Sequence, residues 1–384
     1  MATTIGVTRY TTGTIQYTET IQYTEAVQYT IAPQPLRITQ PGVRVATRQI
    51  PFTEIWTPTV YEWDKVKELL TELVKAKREG RVSAFDTIHS LEAAILRLFI
   101  TMPDTIAQQN LAPLQLAAVY GEESIGRLLL EMGVDVNAES TVTGLTALHL
   151  AARFGREGIV RLLLKTQGVD ISAESTSTGR LTALHLAASF GWDGIVRLLL
   201  ETQVVDINAQ STESGVTALH LAASNCGREG MVHLLLEKGA HVDAVSKLGV
   251  TALHMAAYKG HEKVVVMLLG RGAQIEAKSS VRQTALFMAT VAGQEAVVRR
   301  LLENGADFRS KVINPDGSYI TPLAMAAWKG HKGIVQLFLQ KGVDVTEKSS
   351  DGATPAMLAR KKGHMAIVRL LPVQKQESTC CAVM

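Results

Sequence analysis

Four histidines recur at matching places in this 384-residue chain: His149, His185, His220 and His254. A row of imidazoles invites a metal ladder, but each one lies on a different copy of a repeated segment. Stacked helices pack about 10 Å apart, against the ~2 Å of a metal–nitrogen bond, so the row cannot close around one ion. "HEKVV" at His261 comes close to the zinc pattern H-E-x-x-H, yet Val265 stands where the second histidine is needed. "GRGAQI" at Gly270 opens like a dinucleotide loop and lacks the third glycine and the preceding strand. No G-x-x-x-x-G-K-[ST], C-x-x-C or G-x-S-x-G occurs. The expectation is a non-enzyme, with no catalytic residue, metal, cofactor or small-molecule substrate.

The remaining reactive groups are thiols. Cys381-Ala382-Val383-Met384 matches the C-a-a-X prenylation pattern, with two aliphatic residues and a methionine that favours farnesyl. Cys381 is therefore the expected farnesyl site and farnesyltransferase an expected partner. One lipid holds a protein only marginally, so a second signal is needed. Lys375 alone is basic between the repeats and Cys381, which leaves Cys380 as the candidate for palmitate and the basic last repeats as an aid on an anionic leaflet. These features predict a cytoplasmic protein associated with a membrane through its lipid. "MATTIGVTRYTT" lacks the apolar run of a secretory signal, and no stretch approaches the ~20 apolar residues that span a bilayer. Three cysteines, two of them adjacent, make no disulfide framework and point to a reducing compartment.

The elements that carry these groups repeat. "TALHLAARFGREGIVRLLL" starts at Thr146, and close copies start at Thr182, Thr217 and Thr251. Weaker copies start at Leu111, Thr284, Thr321 and Thr354. Leu114, Leu148, Leu184, Leu219, Leu253, Leu286, Leu323 and Ala356 are equivalent, at spacings of 34, 36, 35, 34, 33, 37 and 33. The threonines sit where helix N-caps are needed, and Pro322 and Pro355 where a first turn accepts proline. A glycine then ends the short first helix of every copy, and a second helix follows, with Ile159, Val160, Leu163 and Leu164 at helical spacing. Such a unit cannot bury its apolar face alone, so it must stack.

T-A/P-L-H-x-A-A followed by glycine, in eight copies, resembles the ankyrin-repeat family over about residues 111–371. The resemblance implies an all-α fold, a solenoid of helix-turn-helix repeats with β-hairpin-like loops, binding proteins through its loop tips and concave helical face. It also implies that the recurring histidine is structural, part of a hydrogen-bond network at the hairpin base. The fourth copy carries one extra residue at Asn225–Cys226, expected to bulge its inter-helix turn.

Four regions are expected. Residues 1–60 are Thr/Tyr-rich, with a hexad repeated as "IQYTET", "IQYTEA" and "VQYTIA", and favour disorder with β-tendency. Residues 61–105 read as two helices capping the array, 106–371 as the repeats and 372–384 as a flexible tail.

Docking candidates are the residues just before each turn glycine: Tyr120, Arg153, Phe154, Phe190, Tyr258, Lys259, Trp328 and Lys329. Tyr120, Phe154 and Phe190 would form an aromatic column over consecutive repeats, on a face that interfaces favour. The Ser/Thr-rich loops "AESTVTG", "AESTSTGR" and "AQSTESG" are expected to project as parallel fingers. Charge is uneven: residues 111–250 hold ten Lys/Arg against fifteen Asp/Glu, and 251–384 eighteen against ten. No nucleic-acid motif accompanies that basicity, so direct nucleic-acid binding is not expected. The functional expectation is a non-catalytic scaffold or adaptor held at a membrane. The alternatives are a soluble or nuclear regulator, such as a transcription coregulator, and a substrate-recruiting subunit of an enzyme complex, although no F-box-like segment is apparent.

Overall fold

The computed structural model describes residues 111–371, apart from 177–178, 227–228 and 314–317, together with 2–9, 15–22 and part of 67–79. The chain divides into two compact units, residues 1–183 and 184–384.

In the first unit, α1 (Pro113–Tyr120) and α2 (Glu123–Met132) form one helix pair, α3 (Ala147–Phe154) and α4 (Glu157–Leu164) the next. α1 packs on α3 and α2 on α4. At eight residues α3 is too short to hold alone, so its ends and its neighbours must hold it. Thr146 Oγ1 accepts the His149 N–H at 3.4 Å at its start, and Gly155 closes it in the left-handed region at φ 73°. Ala151 and Ala152 are wholly buried, small enough for helices to approach closely. Ile159, Val160 and Leu163 are the buried stripe of α4.

The second unit repeats the scheme. α5 (Ala183–Phe190) and α6 (Asp193–Glu201) are followed by α7 (Ala218–Leu221), which runs on as a π-helical turn over Ala222–Cys226, and by α8 (Glu229–Glu237). Then come α9 (Ala252–Lys259), α10 (Glu262–Gly270), α11 (Ala285–Ala292) and α12 (Glu295–Glu303). The last four are α13 (Pro322–Lys329), α14 (Lys332–Gln340), α15 (Pro355–Lys361) and α16 (Met365–Leu370). First helices stack in the order α9, α11, α13, α15, and second helices in the order α10, α12, α14, α16. Thr251, Thr284, Thr321 and Thr354 each accept the N–H three residues on, as N-caps.

Three places differ from the sequence reading. The extra residue near Asn225 falls where the first helix changes form, and the turn after it lies outside the described residues. That residue is taken up inside the first helix as the π segment, where each backbone bond spans one residue more. Residues 2–22, expected to favour disorder, contain two paired strands, β1 (Ala2–Arg9) and β2 (Ile15–Gln22), antiparallel with Ile5 opposite Glu19. The β-tendency of the alternating Ile15, Tyr17 and Ile21 is thus expressed. The loop before α13 pairs β3 (Val312–Ile313) with β4 (Tyr319–Ile320). Of the proposed capping helices, residues 67–68, 70–72 and 74–75 are described and helical, with Leu70 and Val74 buried as the apolar stripe predicts. The second capping helix lies outside the described residues.

Candidate docking surface and its supports

The recurring histidines are hydrogen-bond brackets. His220 Nδ1 takes the Thr217 N–H at 3.1 Å, which puts the proton on Nε2, and Nε2–H donates to the Val250 carbonyl at 2.9 Å. His254 repeats this with Thr251 at 3.2 Å and the Gln283 carbonyl at 2.9 Å. His149 Nε2 reaches Ala173 at 2.9 Å, and His185 Nε2 reaches Ala209 at 3.1 Å and Val216 at 3.0 Å. Each ring therefore ties its own helix start to the following loop. Burial lowers His220 to about 4, outweighing the Val250 carbonyl that pulls the other way, and it lowers His254 as well. A second proton would have to sit on Nδ1, facing the Thr217 N–H, which is itself a donor. Among the described residues no group of three His, Cys, Asp or Glu could hold a metal ion.

The bracket changes chemistry along the chain. Gln115 takes the place in α1: its Oε1 accepts the Ala112 N–H at 2.8 Å and its Nε2 donates to Ala138 at 2.8 Å and Leu145 at 3.1 Å. In α11 and α13 the place is held by Phe287 and Ala324, in an apolar cluster with Val312, Ile320, Met325 and Leu358. β3 and β4 supply Val312 and Ile320 to it.

All eight docking candidates are half-buried, so each offers an edge or one face. Tyr120 and Phe154 belong to the first unit and Phe190 to the second. Burial pushes the Tyr120 phenol up to about 12, so it stays a neutral donor and acceptor. The Arg153 guanidinium lies 5.7 Å from the Phe154 ring centre. Trp328 packs one side on the apolar cluster, with the Lys329 ammonium 4.9 Å and the Lys362 ammonium 4.8 Å from its ring. These are cation–π pairs that pre-orient a charged rim around an aromatic face. Tyr258 and Lys259 end α9 in the same register.

A set of residues whose structural part was not read from sequence supports these helix ends: four of those that follow a turn glycine. Arg156 Nε donates to the Val119 carbonyl at 2.8 Å, and His261 Nε2 to Ser224 at 3.1 Å. Gln294 Nε2 reaches Tyr258 at 3.3 Å and His331 Nε2 reaches Val291 at 3.3 Å. These four contacts tie a second helix to the end of the first helix one repeat earlier, at Tyr258 directly on a docking candidate. The signal was a polar residue directly after every such glycine but Gly191, which Trp192 follows. The glycines answer a double demand, since Gly330 has φ +86° and a Cβ there would lie 2.6 Å from His364 Cε1.

The serine-rich loops are closed from within. Ser140, Ser175 and Ser211 are buried, and their N–H groups donate across the loop to Leu145, Leu181 and Val216 at 3.0, 3.0 and 2.9 Å. They close the loops, leaving Thr141, Val142, Thr212 and Glu213 exposed at the tips. Cys380 and Cys381 lie outside the described residues.

Paired helices joined by tight loops, presenting aromatic and basic residues in register, define a repeat array for protein contact. An ankyrin-repeat family model, described as three copies of the repeat, matches residues 88–175, 168–246, 242–312 and 311–379, and the chain belongs to that family. Over 55 residues it is also 44% identical to a probable E3 ubiquitin-protein ligase, XBOS33, of Oryza sativa subsp. japonica. That stretch covers 14% of this chain and 11% of the ligase.

Proposed function

We propose that this chain is a non-catalytic scaffold or adaptor of eight ankyrin repeats, farnesylated at Cys381 and held at a cytoplasmic membrane surface. The observation that carries the adaptor reading is the presence of cation-flanked aromatics at the ends of α3 and of α13, each helix capped by a threonine and closed by its turn glycine. Such pre-ordered aromatic–cation edges are what binding hot spots favour. The anchoring reading is supported by the sequence Cys381-Ala382-Val383-Met384.

The test has two arms. Proteins cross-linked to the wild-type chain are compared with those cross-linked to Arg153→Glu and Lys259→Glu variants of unchanged unfolding midpoint. A partner lost with the charge reversal supports docking on this register, and identical sets sink it. Intact-mass measurement of the native chain and fractionation of Cys381→Ser test the anchor. A second reading, a substrate-recruiting part of a ubiquitin-ligase complex, is favoured by the short resemblance to the rice protein. Ubiquitylation components among the cross-linked partners would select it.

A further inference from the structure

Taken together, α13–α16 carry a net positive charge and α1–α12 a net negative one. In the preceding second helices the first residue is an acid: Glu123, Glu157, Asp193, Glu229, Glu262 and Glu295. A carboxylate there suits the helix dipole. It also pairs with a cation: Glu123 with Arg127 at 3.2 Å, Glu295 with Arg299 at 3.1 Å, Glu229 with Lys263 at 2.8 Å and Glu262 with Arg300 at 2.7 Å. In α14 and α16 the same place is held by Lys332 and Met365. Lys332 sets a cation at the positive end of its helix, and Arg369 has lost the carboxylate four residues earlier. Neither change favours folding.

α13 to α16 contain no Asp or Glu. Among the described residues, Lys332, Arg360, Lys361, Lys362 and Arg369 form no ion pair. The Ser349 hydroxyl and, less strongly, the Ala353 N–H hold the Asp351 carboxyl below its usual range, and Lys361 adds only the smallest contribution. Apolar groups are set among these cations. Met357 is 55% and Met365 51% exposed, although Met357 is in register with the buried His149, His220 and His254. Trp328 stands between Lys329 and Lys362.

We propose that α13–α16 form a docking surface for an anionic phospholipid bilayer. Cations spread over four helix ends suit a charged plane better than a single acidic peptide. Thioether and indole side chains are those that enter a lipid interface. Cys380 and Cys381 follow Leu371 by only nine and ten residues. The inference rests on the lipid-anchor reading for its biological setting and supplies the second signal that one prenyl chain needs.

The test uses the full chain as Cys381→Ser, so no lipid contributes, sedimented with phosphatidylcholine vesicles with and without about 30% phosphatidylserine. Each basic residue near such a surface is worth about fivefold in partitioning. The expected result is binding that requires phosphatidylserine, falls from about 0.1 M to 1 M salt, and drops at least ~20-fold in Lys361→Glu/Lys362→Glu. The same charge change at Lys165 and Lys238 should have a smaller effect. Equal binding to both vesicles, or equal loss in the two double variants, overturns the proposal. Capture of polyglutamate without vesicle binding also overturns it, in favour of an acidic protein partner. An unprenylated native mass would sink the anchor reading while leaving these vesicle results intact.

Discussion

Lowering the pH should weaken the array through His220, by an amount that follows from its surroundings. The folded ring titrates near 4 because it is buried, whereas a histidine in the unfolded chain titrates near 6.5. A depressed histidine stabilises the fold fully above about 6.5, and that contribution fades as pH falls from there toward 4. Between about pH 7 and pH 5 the unfolded chain takes up nearly a whole proton that the folded chain refuses, which costs about 2 kcal/mol. The matched perturbation is His220→Gln, because Gln115 already makes the same bracket with an amide. The variant should unfold in urea close to wild type at about pH 7, and its loss on going to about pH 5 should be smaller than wild type by about 2 kcal/mol. Far-UV circular dichroism reads the transition, and carboxylates titrating elsewhere cancel between the two proteins. If wild type and variant lose equal stability, burial of His220 is not the source. If the variant fails at neutral pH, the equivalence with Gln115 is wrong.

Other substitutions separate the supports. Gly330→Ala meets both a positive φ and His364, and should destabilise by about 2–3 kcal/mol, whereas Gly272→Ala, with φ +84° and open space, should cost about 1 kcal/mol; urea midpoints compare them. Phe287→Ala removes a large buried side chain from the cluster under Trp328 and should cost about 3–5 kcal/mol by the same measurement. Ser211→Ala strips the Oγ that accepts the Ser214 N–H at 3.3 Å and meets the Ser214 hydroxyl at 2.8 Å, and should cost about 1–2 kcal/mol.

The helix pairs were legible because threonine caps, small pairs and turn glycines recur at fixed offsets, and local rules decide each of them. The structural place of the histidines was legible by the same recurrence, through the family that the pattern resembles. Burial of Ser140, Ser175 and Ser211 was not, since serine reads as a surface residue until a loop folds its hydroxyl inward. Nor was the grip of Arg156, His261, Gln294 and His331 on the preceding repeat, because the carbonyls they reach lie 36 to 40 residues earlier. The switch from histidine to Phe287 could be read as a substitution, but its partners Val312 and Ile320 arrive only with the β3–β4 pair.

The π-helical turn at Ala222–Cys226 shows how this chain tolerates errors of length. An inserted residue in a packed helix would ordinarily rotate everything after it by about 100°. Here the extra residue is confined to one turn, Asn225 reaches the Ser189 hydroxyl at 2.8 Å, and α8 begins with the same buried Met231, Val232 and Leu235 stripe. Each repeat touches only its neighbours, so the disturbance ends where it began. A single-codon insertion, ruinous in most cores, can therefore persist here long enough for selection to act on it.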